Sequence, residues 1–134
     1  MTEGTDKYGR RCLVTELSVK HAIPLVCGGA VSTRGVSMTG RSPETPCMRC
    51  VFDQPESGAG ETCDTVGVLG PVAAMIGAYQ ASEAMKILLG RMEMTSGSLL
   101  SFDLWSMERT RLDLKDARDP ACRCCGARVC EHLD

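Results

Sequence analysis

Hydrophobic positions along the 134-residue chain fall into two stretches of helical spacing and four of strand-like spacing. Over residues 11–21, Leu13, Val14, Leu17 and Val19 supply an apolar face and predict a helix that Pro24 must end. Residues 23–27 read as a short buried strand running into Gly28-Gly29, and residues 31–39 as a second, weakly alternating strand. Residues 41–46 read as a loop and residues 47–52 as a tight knuckle. The segment from Gln54 to Glu61 carries Pro55, Gly58 and Gly60 among polar residues, which predicts an exposed and mobile loop.

The stretch from Pro71 to Leu89 gives the strongest helical signal. Proline suits a first helical position, and Gly90 suits the position just past the last turn. Val72, Met75, Ile76, Tyr79, Met85, Ile87, Leu88 and Leu89 spread apolar side chains around most of the circumference. Ala73, Ala74, Gly77, Ala78, Ala81 and Ala84 let other backbones come close. One long buried helix is therefore expected, covered on several sides by a core larger than this chain supplies or by a second subunit. After Gly97, residues 98–104 and 107–114 pattern as a β-hairpin. Leu112 and Leu114 share one face of it, and Arg109, Arg111 and Asp113 the other. This order of elements predicts an α/β layout with a mixed sheet and an antiparallel hairpin, in one domain over residues 1–134.

Composition removes some functions and selects none. Hydrophobic content of 43% and charged content of 24% are ordinary for a globular protein. A net charge of −2 gives no electrostatic case for nucleic acid or an anionic membrane surface, and 4% aromatics supply little for base stacking. Nothing approaches a membrane-spanning apolar run.

The nine cysteines change the picture. Cys47-Met-Arg-Cys50 and Cys122-Arg-Cys-Cys125 stand about half the chain apart, the first preceded by Pro46 and the second followed by Gly126. Two thiolates three positions apart reach one ion from a tight turn, and a second such turn completes the tetrahedral all-sulfur shell that Zn²⁺ prefers. The ion would pin the last segment of the chain to its middle. Disulfides are disfavoured by the odd count and by a polar, charged opening, residues 1–8, that reads as no secretory leader. A reducing cytoplasm is the expected compartment, where such spacing means metal or catalysis. A thioredoxin-type redox pair needs a Cys-x-x-Cys at a helix start after a strand, a setting expected for neither pair. A rubredoxin-like iron centre uses the same ligands, but the long helix does not suit so small a fold. Cys12 and Cys27 read as small core residues, Cys124 as pointing away from the ion, and Cys130 and His132 as spare groups. Arg109 and Arg111 read as a solvated strand face.

Four blocks then carry a resemblance. They are Pro46-Cys-Met-Arg-Cys-Val-Phe52, Cys63-Asp-Thr-Val-Gly-Val-Leu-Gly-Pro71, Gln80-Ala-Ser-Glu-Ala-Met-Lys86 and Asp119-Pro-Ala-Cys-Arg-Cys-Cys-Gly126. In order and spacing they resemble the ThiF/MoeB/HesA family, bacterial relatives of ubiquitin-activating enzymes. The resemblance implies a Rossmann-like α/β domain, usually homodimeric, with a structural zinc held by Cys47, Cys50, Cys122 and Cys125. It implies adenylation, with ATP and Mg²⁺, of the C-terminal glycine of a ubiquitin-like sulfur-carrier protein in thiamin or molybdopterin synthesis. Asp6 matches the Asp of the family's Asp-Asn-x-x-x-Arg motif, which lies at the metal and nucleotide phosphates. Arg11 matches its Arg, while Lys7 stands where Asn is usual. Cys63 matches the crossover-loop cysteine that some members use for a thioester or persulfide. Its neighbours Glu61 and Asp64 tend to raise a thiol pKa, and the helix start near Pro71 opposes them.

The departure from the family is also plain. Complete members carry a further segment ahead of Asp6, with a Gly-x-Gly-x-x-Gly turn and the cations that neutralise a triphosphate. Gly28-Gly29 follows an apolar run but is expected to open no helix, so it makes no phosphate cradle. The chain therefore resembles the C-terminal portion of the enzyme, with ATP and Mg²⁺ bound only alongside the nucleotide-binding half. Two functions follow as expectations. One is a truncated or split adenylyltransferase, inactive alone, that pairs with an N-terminal half or with itself. The other is a non-catalytic zinc-bound interaction module for a ubiquitin-like carrier or a full-length paralogue.

Overall fold

A computed structural model describes residues 1–52 and 61–133. Strands Thr2–Glu3 (β1), Leu25–Val31 (β2), Arg34–Gly40 (β3), Ser98–Asp103 (β4) and Glu108–Asp113 (β5) form one sheet in that order. β1 runs parallel to β2, and every other neighbouring pair is antiparallel. Helices Tyr8–His21 (α1), Met48–Val51 (α2), Cys63–Val66 (α3) and Gly70–Leu88 (α4) and a 3₁₀ turn, Met92–Met94, complete the described chain. The architecture is α/β with a mixed sheet ending in an antiparallel hairpin, as the patterning predicts.

Helices cover both faces of the sheet. Alternation along β2 sends Leu25 and Cys27 to one side, where they pack with Cys12 of α1, Met38, Met48 and Leu114. On the other side Val72 and Ile76 of α4 meet Phe102 of β4. Burying Val72 and Ile76 contributes about 1.5–3 kcal/mol each. Gly28 makes this close approach feasible. A Cβ there would lie 2.6 Å from both Ile76 Cγ2 and Gln80 Cδ, so α4 can rest directly on the strand.

Local chemistry explains the boundaries. α1 starts at Tyr8, a few residues before the expected Arg11, and ends at Ala22, whose φ of 51° is left-handed. Ile23 N donates back to Ser18 O, and Pro24 follows. α4 has Pro71 in its first turn and closes at Gly90, φ 71°, close to the expected limits. The expected strands over 23–27 and 31–39 are one seven-pair hairpin, turning at Ser32 with φ 55°. β1 had no signal in the sequence, being two residues long. Leu114 is buried just past β5, whereas Leu112, expected on the same face, is 55% exposed. The loop expected over 54–61 lies, up to residue 60, outside the described residues.

One expectation needs correction. α4 is not buried on several sides. Val72, Ile76, Gln80 and Glu83 form a single buried stripe, while Met85, Leu88 and Leu89 are 57%, 85% and 77% exposed. The sheet offers one flat face, and among the described residues nothing covers the opposite side of the helix. No described helix is long and apolar enough to cross a membrane.

Candidate functional site

Two constellations carry chemistry, a thiol cluster and a cleft. In the cluster, Cys47 caps α2 and Cys50 N donates to Cys47 O at 3.0 Å, so the turn aims both thiols the same way. The second knuckle closes through Gly126 N and Ala127 N, which both donate to Cys122 O at 2.8 and 2.9 Å. Gly126 is required here, because a Cβ would sit 2.2 Å from Pro120 O. The Sγ–Sγ distances are 3.8 Å for Cys47–Cys50, 3.7 Å for Cys47–Cys122 and 3.4 Å for Cys50–Cys125. All four sulfurs lie within 4.8 Å of one another. A tetrahedral ion with metal–sulfur bonds of about 2.3 Å needs sulfur–sulfur edges of about 3.8 Å, so the four side chains fit one ion.

Burial and mutual contact set the protonation of these four thiols. Contact with Cys124 and then burial push the Cys47 thiol up, and burial pushes up Cys50 and Cys125. Burial also opposes ionisation of Cys122, but the backbone N–H groups of Cys125 and Cys124 outweigh it and hold that thiol down. Several buried thiolates in contact repel one another, and a divalent ion removes the repulsion. Cys124, expected to point away, is instead buried within the same cluster and bears on Cys47. By contrast Cys12 and Cys27 are core residues, with burial pushing the Cys27 thiol up to about 12.

A charged network braces the cluster from behind, and no local pattern of residues marks it. Glu16 on α1 is fully buried and accepts from His132 N at 2.9 Å, with His132 Nδ1 2.8 Å away. Arg49, in the first knuckle and 8% exposed, lies 3.5 Å from Glu16 and 3.3 Å from Glu131. Arg123 of the second knuckle also pairs with Glu131. Burial alone would raise the Glu16 carboxyl, but the side-chain and backbone hydrogen bonds of His132, with the charges of His132 and Arg49, hold it below the ordinary range. His132 is thus engaged rather than spare.

The cleft, about 420 Å³, opens where β1 and β2 end at their carboxyl ends, the usual ligand position in parallel α/β sheets. Its floor is the backbone of Gly28 and Gly29, which belong to a strand, so no helix opens there. Arg11 reaches in from α1, donating through Nε to Glu3 Oε2 at 3.1 Å and through Nη2 to Gly28 O at 3.0 Å. Glu3 also accepts from Thr5 N at 2.6 Å. Gln80, from α4, donates to Glu3 O and to Val26 O, linking helix, β1 and β2. Asp6 lies in an exposed bend on the rim. Cys63 begins α3, capped by a reciprocal Thr62–Thr65 box, and its half-buried thiol donates to Ala30 O at 3.1 Å. Asp6, Arg11 and Cys63 therefore share one cleft. Glu3, Arg34 and Glu61 join them there or behind it; Glu61 was marked only as a neighbour of Cys63, and nothing in the spacing marked Glu3 or Arg34.

Residues 1–124 match the ThiF family. Among curated proteins, the chain is 33% identical over 128 residues to the sulfur carrier protein ThiS adenylyltransferase of Bacillus subtilis (strain 168), covering 96% of this chain and 37% of that protein. It is 35% identical over 127 residues to the SAMP-activating enzyme E1 of Haloferax volcanii, covering 94% of this chain and 46% of that protein. The fold is similar to that of E. coli MccB, with a TM-score of 0.72 at 15% identity over 93% of this chain and 39% of that one. The chain thus spans less than half the length of each of these relatives.

Proposed function

Because the chain belongs to the ThiF family, we propose that it is the C-terminal portion of an adenylyltransferase that activates a ubiquitin-like sulfur carrier. The carrier's terminal glycine carboxylate and ATP would give the acyl-adenylate and pyrophosphate, for thiamin- or molybdopterin-type cofactor synthesis. The observation that carries this reading is the convergence of Asp6, Arg11 and Cys63 on one cleft at the carboxyl ends of parallel strands. ATP with Mg²⁺ would supply the adenylyl group, pyrophosphate being the leaving group. Of this chain's residues, Asp6 offers a carboxylate to the metal and Arg11 a positive charge to the phosphates. Arg11 is already oriented for this by Glu3 and the Gly28 carbonyl. Cys63 is the candidate nucleophile: its thiolate would attack the acyl-adenylate carbonyl, giving a thioester and releasing AMP, or would accept sulfane sulfur from a donor persulfide, releasing the donor's thiolate.

The Gly-x-Gly-x-x-Gly turn is absent from this sequence, so phosphate binding needs a nucleotide-binding half from another chain or segment. Cys47, Cys50, Cys122 and Cys125 are proposed to hold a structural Zn²⁺, supported by sulfur spacing near a tetrahedral edge. The exposed apolar side of α4 supports a second subunit, and a reducing cytoplasm suits the free thiols. The test is ATP–pyrophosphate exchange with a sulfur carrier, with and without the nucleotide-binding half of a family member. Carrier-dependent exchange only with that half is expected. No exchange in either case, with the carrier still bound, would replace this reading by a non-catalytic zinc-bound module.

A further inference from the structure

Two arginines line the cleft, and they are not equally available. Arg11 is 18% exposed and pairs with Glu3, which is 2% exposed. Separating them would leave a buried carboxylate alone, a strongly unfavourable change. Arg34 stands at the start of β3 with 58% of its side chain exposed, and its Nη2 lies 2.6 Å from Oε2 of Glu61, itself 53% exposed. Exposed pairs of this kind contribute little, because water competes well for both partners. Asp103 faces Arg34 across the β3–β4 register, but its Oδ1 already accepts from Trp105 N and Ser106 N. Arg34 is therefore the cleft cation whose partner is cheap to replace.

The placement of Glu61 matters as much as its exposure. It lies two residues before Cys63, and the same segment is held to the β2–β3 turn by Ser32 N to Gly67 O at 2.9 Å and Leu69 N to Ser32 O at 2.8 Å. These bonds, with Cys63 to Ala30 O, keep α3 in position even when the ion pair opens. An entering carboxylate of the same planar shape could thus take over Arg34 without dislodging the cysteine.

The geometry points to Arg34 as the residue that receives the substrate's terminal carboxylate, in exchange for Glu61, beside Cys63. This assignment rests on the carrier-activating reading above. It makes Arg34 a positioning residue at the mouth of the cleft, separate from the phosphate-directed role of Arg11. It also makes Glu61 a built-in competitor that keeps the cation occupied until an acid terminus arrives.

The experiment uses the full metal-loaded chain and a ubiquitin-like sulfur carrier in two forms, one ending in the free glycine carboxylate and one in its C-terminal amide. Binding is read by fluorescence anisotropy. The wild type is expected to prefer the free acid by roughly tenfold, a typical size for one charge-assisted contact. Glu61→Gln should bind the acid form more tightly with the amide form unchanged. Arg34→Gln should erase the preference, while Arg34→Lys keeps part of it, a point charge replacing a bidentate fork. Circular dichroism melts establish that each variant is folded. Equal binding of acid and amide by the wild type, or an intact preference in Arg34→Gln, overturns the assignment while leaving carrier activation standing. With the nucleotide-binding half of a family member added, loss of ATP binding in Arg34→Gln with the carrier preference unchanged would assign the arginine to phosphate instead and overturn it too. If neither carrier form binds, the reading beneath it fails as well.

Discussion

Removing the second knuckle is the most direct test of what holds this chain together. The double substitution Cys122→Ser/Cys125→Ser takes away two of four sulfurs that lie within 4.8 Å of one another. A shared ion closes a loop of 75 residues between Cys47 and Cys122. By analogy with a covalent cross-link, opening such a loop returns about 4.5 kcal/mol of chain entropy to the unfolded state. Domains of this size are stable by roughly 5–15 kcal/mol, so the loss is a large fraction of the total. At about 3–5 °C per kcal/mol, the melt should fall by roughly 15 °C. Metal content by mass spectrometry should drop from one ion per chain to none. Cys130→Ser, a half-buried thiol outside the cluster, should leave both readouts alone. Wild-type protein without stoichiometric metal, or a double variant melting within about 2 °C of it, would refute the shared ion, since the cross-link estimate leaves no room for so small a shift.

Three further outcomes follow from particular contacts. Glu16→Ala should cost about 1–3 kcal/mol, because His132 N loses its acceptor and buried Arg49 keeps only Glu131, and urea titration measures it. The folded Glu16 carboxyl titrates below its ordinary 4.5, so its stabilisation is present above that value and lost as pH falls through the folded one; Glu16→Gln should flatten this acid limb, and an unchanged difference from pH 5 to 3 would contradict the network. Gly28→Val should lower stability by about 1–3 kcal/mol by pushing α4 off the sheet, and an unchanged melt would mean the helix is not seated as described. Leu88→Glu should leave the monomer's melt nearly unchanged but convert a dimer to monomer in sedimentation velocity, since Leu88 is 85% exposed; a wild type that already sediments as a monomer removes the second subunit.

How legible all this was depends on the range of each interaction. The four thiols were readable because metal spacing is local within each knuckle, and only their meeting needed the fold. α4 was readable from Pro71, Gly90 and its apolar run, but its degree of burial was not, because periodicity cannot say how many faces have neighbours. The two strands of the β2–β3 hairpin were readable but their bounds and pairing were not, since Ser32 takes a left-handed turn without a glycine to announce it. β1 was invisible because two residues carry no period. Glu16 looked like an ordinary polar position on an amphipathic helix, yet its partners, Arg49 and His132, are 33 and 116 residues away. Glu3 and Arg34 were missed for the same reason, and Glu61 was legible as a neighbour of Cys63 but not as the partner of Arg34. Charges of that kind are unremarkable one at a time, and only tertiary structure pairs them.

The long reach of the Glu16 contact sets an order on biosynthesis. As the chain leaves the ribosome, α1 emerges early with a carboxylate that its final environment will seal from water. Arg49 arrives 33 residues later, and His132 116 residues later. A chain lacking residues 131 and 132 would leave that carboxylate with Arg49 alone, without the two hydrogen bonds of His132. The docking of α1 is thus completed by the segment that carries Glu131 and His132, and amide exchange in α1 should quicken when that segment is removed.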